Sequence, residues 1–237
     1  MVKASYLINV PAGGIGRRFS PKLPKQFFPL GQSNVAQHCL SRLLKVPQID
    51  RLIVPCKVRE KWWSSVPATK NHRVELVEGG LDRTESVLSG LLALAKDATS
   101  SDWILVHDIV RPCVTVGSIM KLRESVHRHP IGGILVSPTS DTVKLISEHG
   151  QIKTTLDRRY CRLAQTPQMF RYGELLEAME YAIKHKKAIT DESSALEQLG
   201  KTIKVVEGRA DNIKITYAED LIFADAIIKE QAKLECE

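Results

Sequence analysis

The sequence predicts an α/β fold: a mostly parallel, helix-covered sheet carrying a protruding β-arm. Three observations predict it. Short apolar runs alternate with amphipathic stretches of helical period from Tyr6 to Val136. The first run leads directly into a glycine-rich, basic loop. After Ser137 the alternation yields to two β-rich segments joined by a turn-like linker.

Tyr6–Val10 reads as a buried strand, and Pro11–Phe27 is the glycine-rich loop. A helix over Val35–Lys45 is followed by a strand at Arg51–Val54. Lys57–Ser65 is ambiguous between loop and short helix. Then come strand Arg73–Val77, helix Asp82–Lys96, strand Trp103–Val106, helix Ser118–His127 and strand Gly133–Val136. Asp141–Ile146 and Gln151–Leu156 read as an extended hairpin, within an arm subdomain at 137–163 of one domain spanning 1–237. A two-stranded arm is marginal alone in water, so it needs a partner surface. Folding back on its own domain is one solution. Helices at Tyr172–Lys184 and Asp191–Leu199, a strand at Thr202–Val206 and a closing helix at Ala218–Lys233 complete the chain. The last residues, from Leu234, are expected to fray.

Composition narrows the function classes. The 237 residues can bury a full core without staples. No apolar run reaches the length of a membrane span, and no secretory leader precedes the first strand. Five scattered cysteines without a Cys-x-x-Cys pair argue against a disulfide framework or a zinc site, and for a reduced cytoplasmic setting. The net charge of +7 raises nucleic-acid binding, but only 5% of residues are aromatic and no aromatic-basic interleaving suggests a single-strand stacking platform. A polyanionic small molecule suits the groups Arg17–Lys25 and Arg158–Arg162 better. Lys184, Lys186 and Lys187 suit a solvated helix end.

The chemistry concentrates in Pro11–Phe27. Gly13, Gly14 and Gly16 let backbone N–H groups approach a ligand, and Arg17, Arg18, Lys22 and Lys25 follow. A solvated surface loop is the plainer alternative. A dinucleotide fingerprint would need glycine where Phe19 stands, and Gly200-Lys201-Thr202 lacks the Walker glycine at Ala195. Asp108 follows the apolar strand, at the sheet edge where open α/β folds bind ligands. It can ligate Mg²⁺ there or simply cap a turn. His107 has no required role as a base and suits a hydrogen-bonded structural place. Arg111 sits either on a substrate phosphate or against Asp108. Gly79, Gly80 and Ser86 suit recognition of a base and ribose, whereas Asp82 and Arg83 suit a helix start and a local salt bridge.

The glycine loop resembles that of sugar-phosphate nucleotidyltransferases, and its ending Pro24-Lys25-Gln26-Phe27 resembles the polyol-phosphate cytidylyltransferases. Glu78-Gly79-Gly80, His107-Asp108, Arg111-Pro112, Asp141–Lys144, Asp157-Arg158, Gln165–Gln168, Thr190–Glu192 and Glu207–Lys214 follow in register. Together they match the 2-C-methyl-D-erythritol 4-phosphate cytidylyltransferase family over nearly the whole chain. The resemblance implies a Rossmann-like nucleotidyltransferase fold, Mg²⁺, CTP and a polyol phosphate as substrates, and a homodimer formed through the β-arm. Ribitol-5-phosphate cytidylyltransferases share the loop and are the nearest alternative; a non-catalytic nucleotide-binding module is another.

By the same resemblance, Arg18, Lys25, Arg158 and Lys214 are the catalytic cations. Pro11, Ala12, Gly13, Gly14, Gly16, Gly79, Gly80, Ser86 and Asp108 hold the nucleotide. Arg111, Asp141, Thr142, Arg158, Thr166, Asp211 and Lys214 receive the polyol phosphate. Cross-strand pairing on the arm would otherwise account for Thr142 and Arg158. Two departures from the family pattern stand beside the site: Ile109-Val110 replaces small residues, and Leu81 replaces an acid.

Overall fold

The computed structural model describes residues 6–14, 19 and 23–234. Gly16, Arg17, Arg18 and Lys22 lie outside them.

The chain begins with β1 (Tyr6–Asn9), a small hairpin of β2 (Pro29–Leu30) and β3 (Ser33–Asn34), and α1 (Val35–Leu44). β4 (Ile49–Cys56), β5 (Val74–Glu78), α2 (Arg83–Leu94), β6 (Trp103–Val106), α3 (Val116–Val126) and β7 (Gly132–Pro138) continue the alternation. The ambiguous stretch after β4 folds as short 3-10 turns at Lys61–Ser65 and Pro67–Lys70. β8 (Val143–Ile146) and β9 (Ile152–Leu156) form the arm. β10 (Arg162–Arg171), α4 (Tyr172–Lys184), α5 (Glu192–Gln198), β11 (Lys204–Glu207) and α6 (Asp220–Leu234) follow.

The seven-stranded sheet runs β11-β7-β10-β6-β1-β4-β5, and only β10 is antiparallel to its neighbours. Alternation along β1 splits the core. Ile8 and Val10 join the α1 and α3 face, while Leu7 joins the α2, α4 and α5 face. Apolar residues at helical spacing drive each docking: α1 buries Val35, Ala36, Cys39, Leu40 and Leu43. Each fully buried leucine contributes roughly 1.5–3 kcal/mol. Side-chain caps start the helices, with Asn34, Asp82, Thr115 and Asp191 accepting from backbone N–H groups of α1, α2, α3 and α5.

β10 is the element the periodicity does not announce. Its centre is Gln165-Thr166-Pro167-Gln168, polar and interrupted by proline, and its ladder with β7 skips from Ala164 to Gln168. Those side chains are buried nonetheless. The arm's own sheet is narrower than 137–163, because Ser137 and Pro138 pair with Leu163 and Arg162 in the main sheet.

Candidate active site

The carboxyl ends of β1, β5 and β6 converge on two adjoining cavities. The first is lined by Pro11, Ala12, Gly13, Gly14, Lys25, Gln26, Arg83, Ser86, Asp108, Ile109, Val110 and Lys214. The second is lined by Arg83, Asp108, Arg111, Ala164, Gln165, Thr166, Gln168, Thr190, Asp191 and Lys214. Arg83, Asp108 and Lys214 face both.

Backbone bonds fix the floor of the first cavity. Val10 N and Ala12 N donate to the Ile53 and Pro55 carbonyls of β4, at 2.8 Å each. The Gln26 amide reaches back to the Ala12 carbonyl at 3.0 Å, tying the far end of the glycine loop to its start. Ser86 organises the second turn: its hydroxyl donates to the Asp82 carbonyl (2.7 Å) and accepts from Gly80 N (3.2 Å). A Cβ on Gly80 would stand 2.1 Å from the Glu85 Cβ, so only glycine permits this turn. Gly14 has open space where a Cβ would be, leaving its backbone accessible to a ligand. Ile109 and Val110 are buried as well as lining the cavity, and Leu81 is 98% exposed and lines neither.

Asp108 stands at the junction. Its backbone N–H donates to the Thr166 hydroxyl (3.0 Å), which also bonds His107 Nδ1 at 3.0 Å. His107 is buried, and its Nε2 contacts the Arg111 carbonyl at 3.2 Å. Burial lowers its pKa from the ordinary 6.5 to about 4, so it is neutral near pH 7. It is a structural histidine. Burial alone would raise the Asp108 carboxyl, but Arg83, Lys214 and Arg111 outweigh it and hold it far below the carboxylate range. The distances are 2.9 Å to Arg83, 2.8 Å to Lys214 and 3.7 Å to Arg111.

Arg83 does not make the local salt bridge expected of it. Its guanidinium spans Asp108 and the buried Glu192 of α5, a carboxylate 109 positions away. Arg111 pairs with Asp108 and also donates to the Asn212 carbonyl at 2.7 Å. Asn212 in turn donates to the Thr166 carbonyl (2.8 Å), and Ile215 N to the Val110 carbonyl (2.9 Å). These bonds stitch the loop carrying Lys214 against β10 and β6. Lys25 donates to the Ile215 carbonyl of that loop at 3.1 Å.

The structure thus brings together Pro11, Ala12, Gly13, Gly14, Lys25, Ser86, Asp108, Arg111, Thr166 and Lys214. Gly79 and Gly80 form the turn beside Ser86. Asp211 lies outside both linings, bound to Arg209 and to Gln231. Asp141, Thr142 and Arg158 are exposed on the arm, and Arg158 donates to the Ser140 carbonyl. Arg83, Gln168, Thr190 and Asp191 enter the linings without having been assigned to the site. Thr190-Asp191-Glu192 stood among the family motifs and was the available signal.

Among the described residues, no three His, Cys, Asp or Glu side chains converge as a metal cage. Among the described residues, Asp108 is the one carboxylate facing the first cavity. That donor set fits a hard cation held by one carboxylate and mainly by ligand phosphates. No helix among the described residues is long and apolar enough to cross a membrane.

Sequence comparison identifies the arrangement. The family model for 2-C-methyl-D-erythritol 4-phosphate cytidylyltransferase (IspD) matches residues 6–230. The chain belongs to this family. It is similar to the Hahella chejuensis enzyme of that name, 39% identical over 222 residues covering 94% of this chain and 92% of the relative. The Pseudomonas aeruginosa (strain UCBPP-PA14) enzyme is 41% identical over 214 residues, covering 90% and 92%. The crystal structure of the Francisella tularensis IspD superposes with a TM-score of 0.81 at 32% identity, covering 94% of this chain and 99% of that one. This chain therefore has the IspD fold.

Proposed function

We propose that this IspD-family chain joins CTP to 2-C-methyl-D-erythritol 4-phosphate, giving 4-diphosphocytidyl-2-C-methyl-D-erythritol and pyrophosphate. The observation that carries the reading is the sharing of Arg83, Asp108 and Lys214 by two adjoining cavities. In this reading the first cavity takes CTP and the second the polyol phosphate, so the shared residues stand where the substrates meet.

A phosphate oxygen of the polyol phosphate attacks the α-phosphorus of CTP. A new P–O bond forms, the bond to the bridging oxygen of the leaving group breaks, and pyrophosphate departs with the electron pair. The nucleophile is already an anion, so no general base is required, in keeping with a buried neutral His107. Cys56 and Cys113 are not available as thiolates, since burial pushes their thiols up to about 12. The work is positioning and charge neutralisation. Gly13 and Gly14 present backbone to the nucleotide. Lys25 and Lys214 neutralise the transferring and attacking phosphates, and Arg18 is assigned the same role as Lys25. Asp108 would hold Mg²⁺ together with the nucleotide phosphates. Bound there, the metal supplies charge neutralisation on the leaving group.

The same reading gives the arm a second copy of this chain as its partner. Leu145, Ile146 and Ile152 are 48%, 57% and 65% exposed on it, which supports burial against another surface. Arg158, at the arm's return end and away from both cavities of its own chain, then serves the neighbouring subunit with Asp141 and Thr142. Asp211, three positions before Lys214 in the chain, is assigned to the polyol hydroxyls in the same reading. The described cysteines are all free, which accords with a reducing cytoplasm.

A coupled pyrophosphate-release assay tests the proposal. Release is expected only with CTP, Mg²⁺ and 2-C-methyl-D-erythritol 4-phosphate together. Release with ribitol 5-phosphate instead would reassign the substrate, and CTP binding without release from either would remove the activity.

A further inference from the structure

We propose that Arg83, pinned by the buried carboxylate of Glu192, is a positioning residue that fixes Asp108 at the junction of the two cavities. Three elements meet in this contact: Arg83 opens α2, Glu192 opens α5, and Asp108 follows β6. Arg83 Nη1 and Nη2 donate to the two Glu192 oxygens at 2.6 and 3.1 Å. Its Nε donates to Asp108 Oδ1 at 3.0 Å, and Nη2 lies 2.9 Å from the same oxygen. One planar fork is thus held on one edge by Glu192 and holds Asp108 with the other.

Glu192 is 0% exposed and lines neither cavity. A carboxylate so buried is tolerated only when paired, and Arg83 is its ion-pair partner among the described residues. The pair is not needed to seat α5, which already packs Ala195 and Leu196 into the core and is capped by Asp191. A well-packed apolar pair could staple the two helices at least as well. What an apolar pair could not do is orient Asp108. With Oδ1 held by Arg83, the second oxygen faces Lys214 at 2.8 Å and Arg111 at 3.7 Å. Arg111 is buried and bonded to backbone, whereas the Lys214 side chain is 41% exposed. The carboxylate therefore has one fixed oxygen and one whose lysine can be exchanged for a ligand.

The inference rests on the proposed reading that Asp108 stands between the two substrates. The test compares Arg83→Gln, Arg83→Lys, Glu192→Gln and the double Gln variant with wild type and with Asp108→Asn. Melting curves are recorded beside kcat and both KM values. Glu192→Gln, which touches neither cavity, is expected to lower kcat about tenfold or more. Arg83→Lys keeps the charge but not the fork, and is expected to fall alike while remaining folded. In the double variant the uncompensated buried charge is gone, so the melting midpoint should return toward wild type. Its kcat should stay at least about tenfold down. Recovery of kcat together with stability in the double variant, or a folded Arg83→Lys with wild-type kcat, would reduce the fork to a staple and overturn the proposal. If Asp108→Asn itself turns over normally, the functional reading fails, and the positioning role with it.

Discussion

Lys214 Nζ lies 2.8 Å from Asp108 Oδ2, so the cation and the carboxylate that face both cavities are bound to each other. A phosphate that recruits Lys214 must draw it off this oxygen. A divalent cation reaching Asp108 must displace it. The two events favour one another, because each removes the partner that the other has to replace.

Asp108→Asn tests the centre of that arrangement. Asparagine keeps the shape but leaves Arg83, Lys214 and Arg111 around a neutral side chain. Removing one member of a buried ionic cluster is expected to cost about 3 kcal/mol of stability or more. Mg²⁺-dependent CTP binding should weaken in parallel. Urea titration reads the first effect and calorimetry at several Mg²⁺ concentrations the second. An unchanged unfolding midpoint and unchanged metal requirement would leave Asp108 with neither role.

Lys25→Ala is expected to lower kcat on the order of 10²-fold or more, with a smaller change in CTP affinity. The variant gives up a partly buried bond to the Ile215 carbonyl, whose cost to the fold is read separately from turnover. Single-turnover pyrophosphate release and a melting curve decide the matter. A folded variant with near-normal turnover would move the charge neutralisation elsewhere.

His107 should make stability fall with acid before the carboxylates titrate. Unfolded, the imidazole takes its proton as pH falls through 6.5; folded, burial delays this to about 4. The unfolded chain therefore binds more protons in that window, and stability drops as pH drops. The difference amounts to roughly 3 kcal/mol across the window. Asp108, whose folded pKa is depressed, adds its loss only at still lower pH. Unfolding free energies of wild type and His107→Asn at pH 7.5 and 4.5 give the test. Equal slopes for the two proteins would assign the acid sensitivity to other groups.

Arg158→Ala should raise the requirement for polyol phosphate and lower turnover, while leaving CTP binding nearly unchanged. Subunit exchange with Lys25→Ala sharpens this. A mixed dimer would hold one site bearing both lesions and one bearing neither, so activity should return. Verified mixed dimers without recovery would place Arg158 in the site of its own chain.

The parallel strands were legible because each is a short apolar run between amphipathic helices, as in Trp103–Val106 and Gly132–Pro138. β10 was not, because its buried polar centre answers to side-chain partners such as His107 and Asn212 rather than to hydrophobic alternation. Within the site, the glycine loop, Lys25, Asp108 and Lys214 could be read from residue type and motif. The Arg83–Glu192 contact could not. Its partners are far apart in the chain, and nothing local distinguishes Arg83 from an ordinary helix-start cation. Lys25 shows the same limit, since its contact with Ile215 depends on how the loop after β11 returns.

The arm leaves the sheet through β7 and returns through β10, and the two strands stay paired at Arg162↔Pro138, next to where it departs. Four residues beyond Arg162, the same strand carries Thr166, whose hydroxyl bonds both His107 and the Asp108 backbone. The return end of the arm and the Thr166 stretch of the cavity wall are therefore carried by one strand, β10, which rejoins β7 at Arg162. The arm is thus rooted in the strand that walls the second cavity, four residues from Thr166.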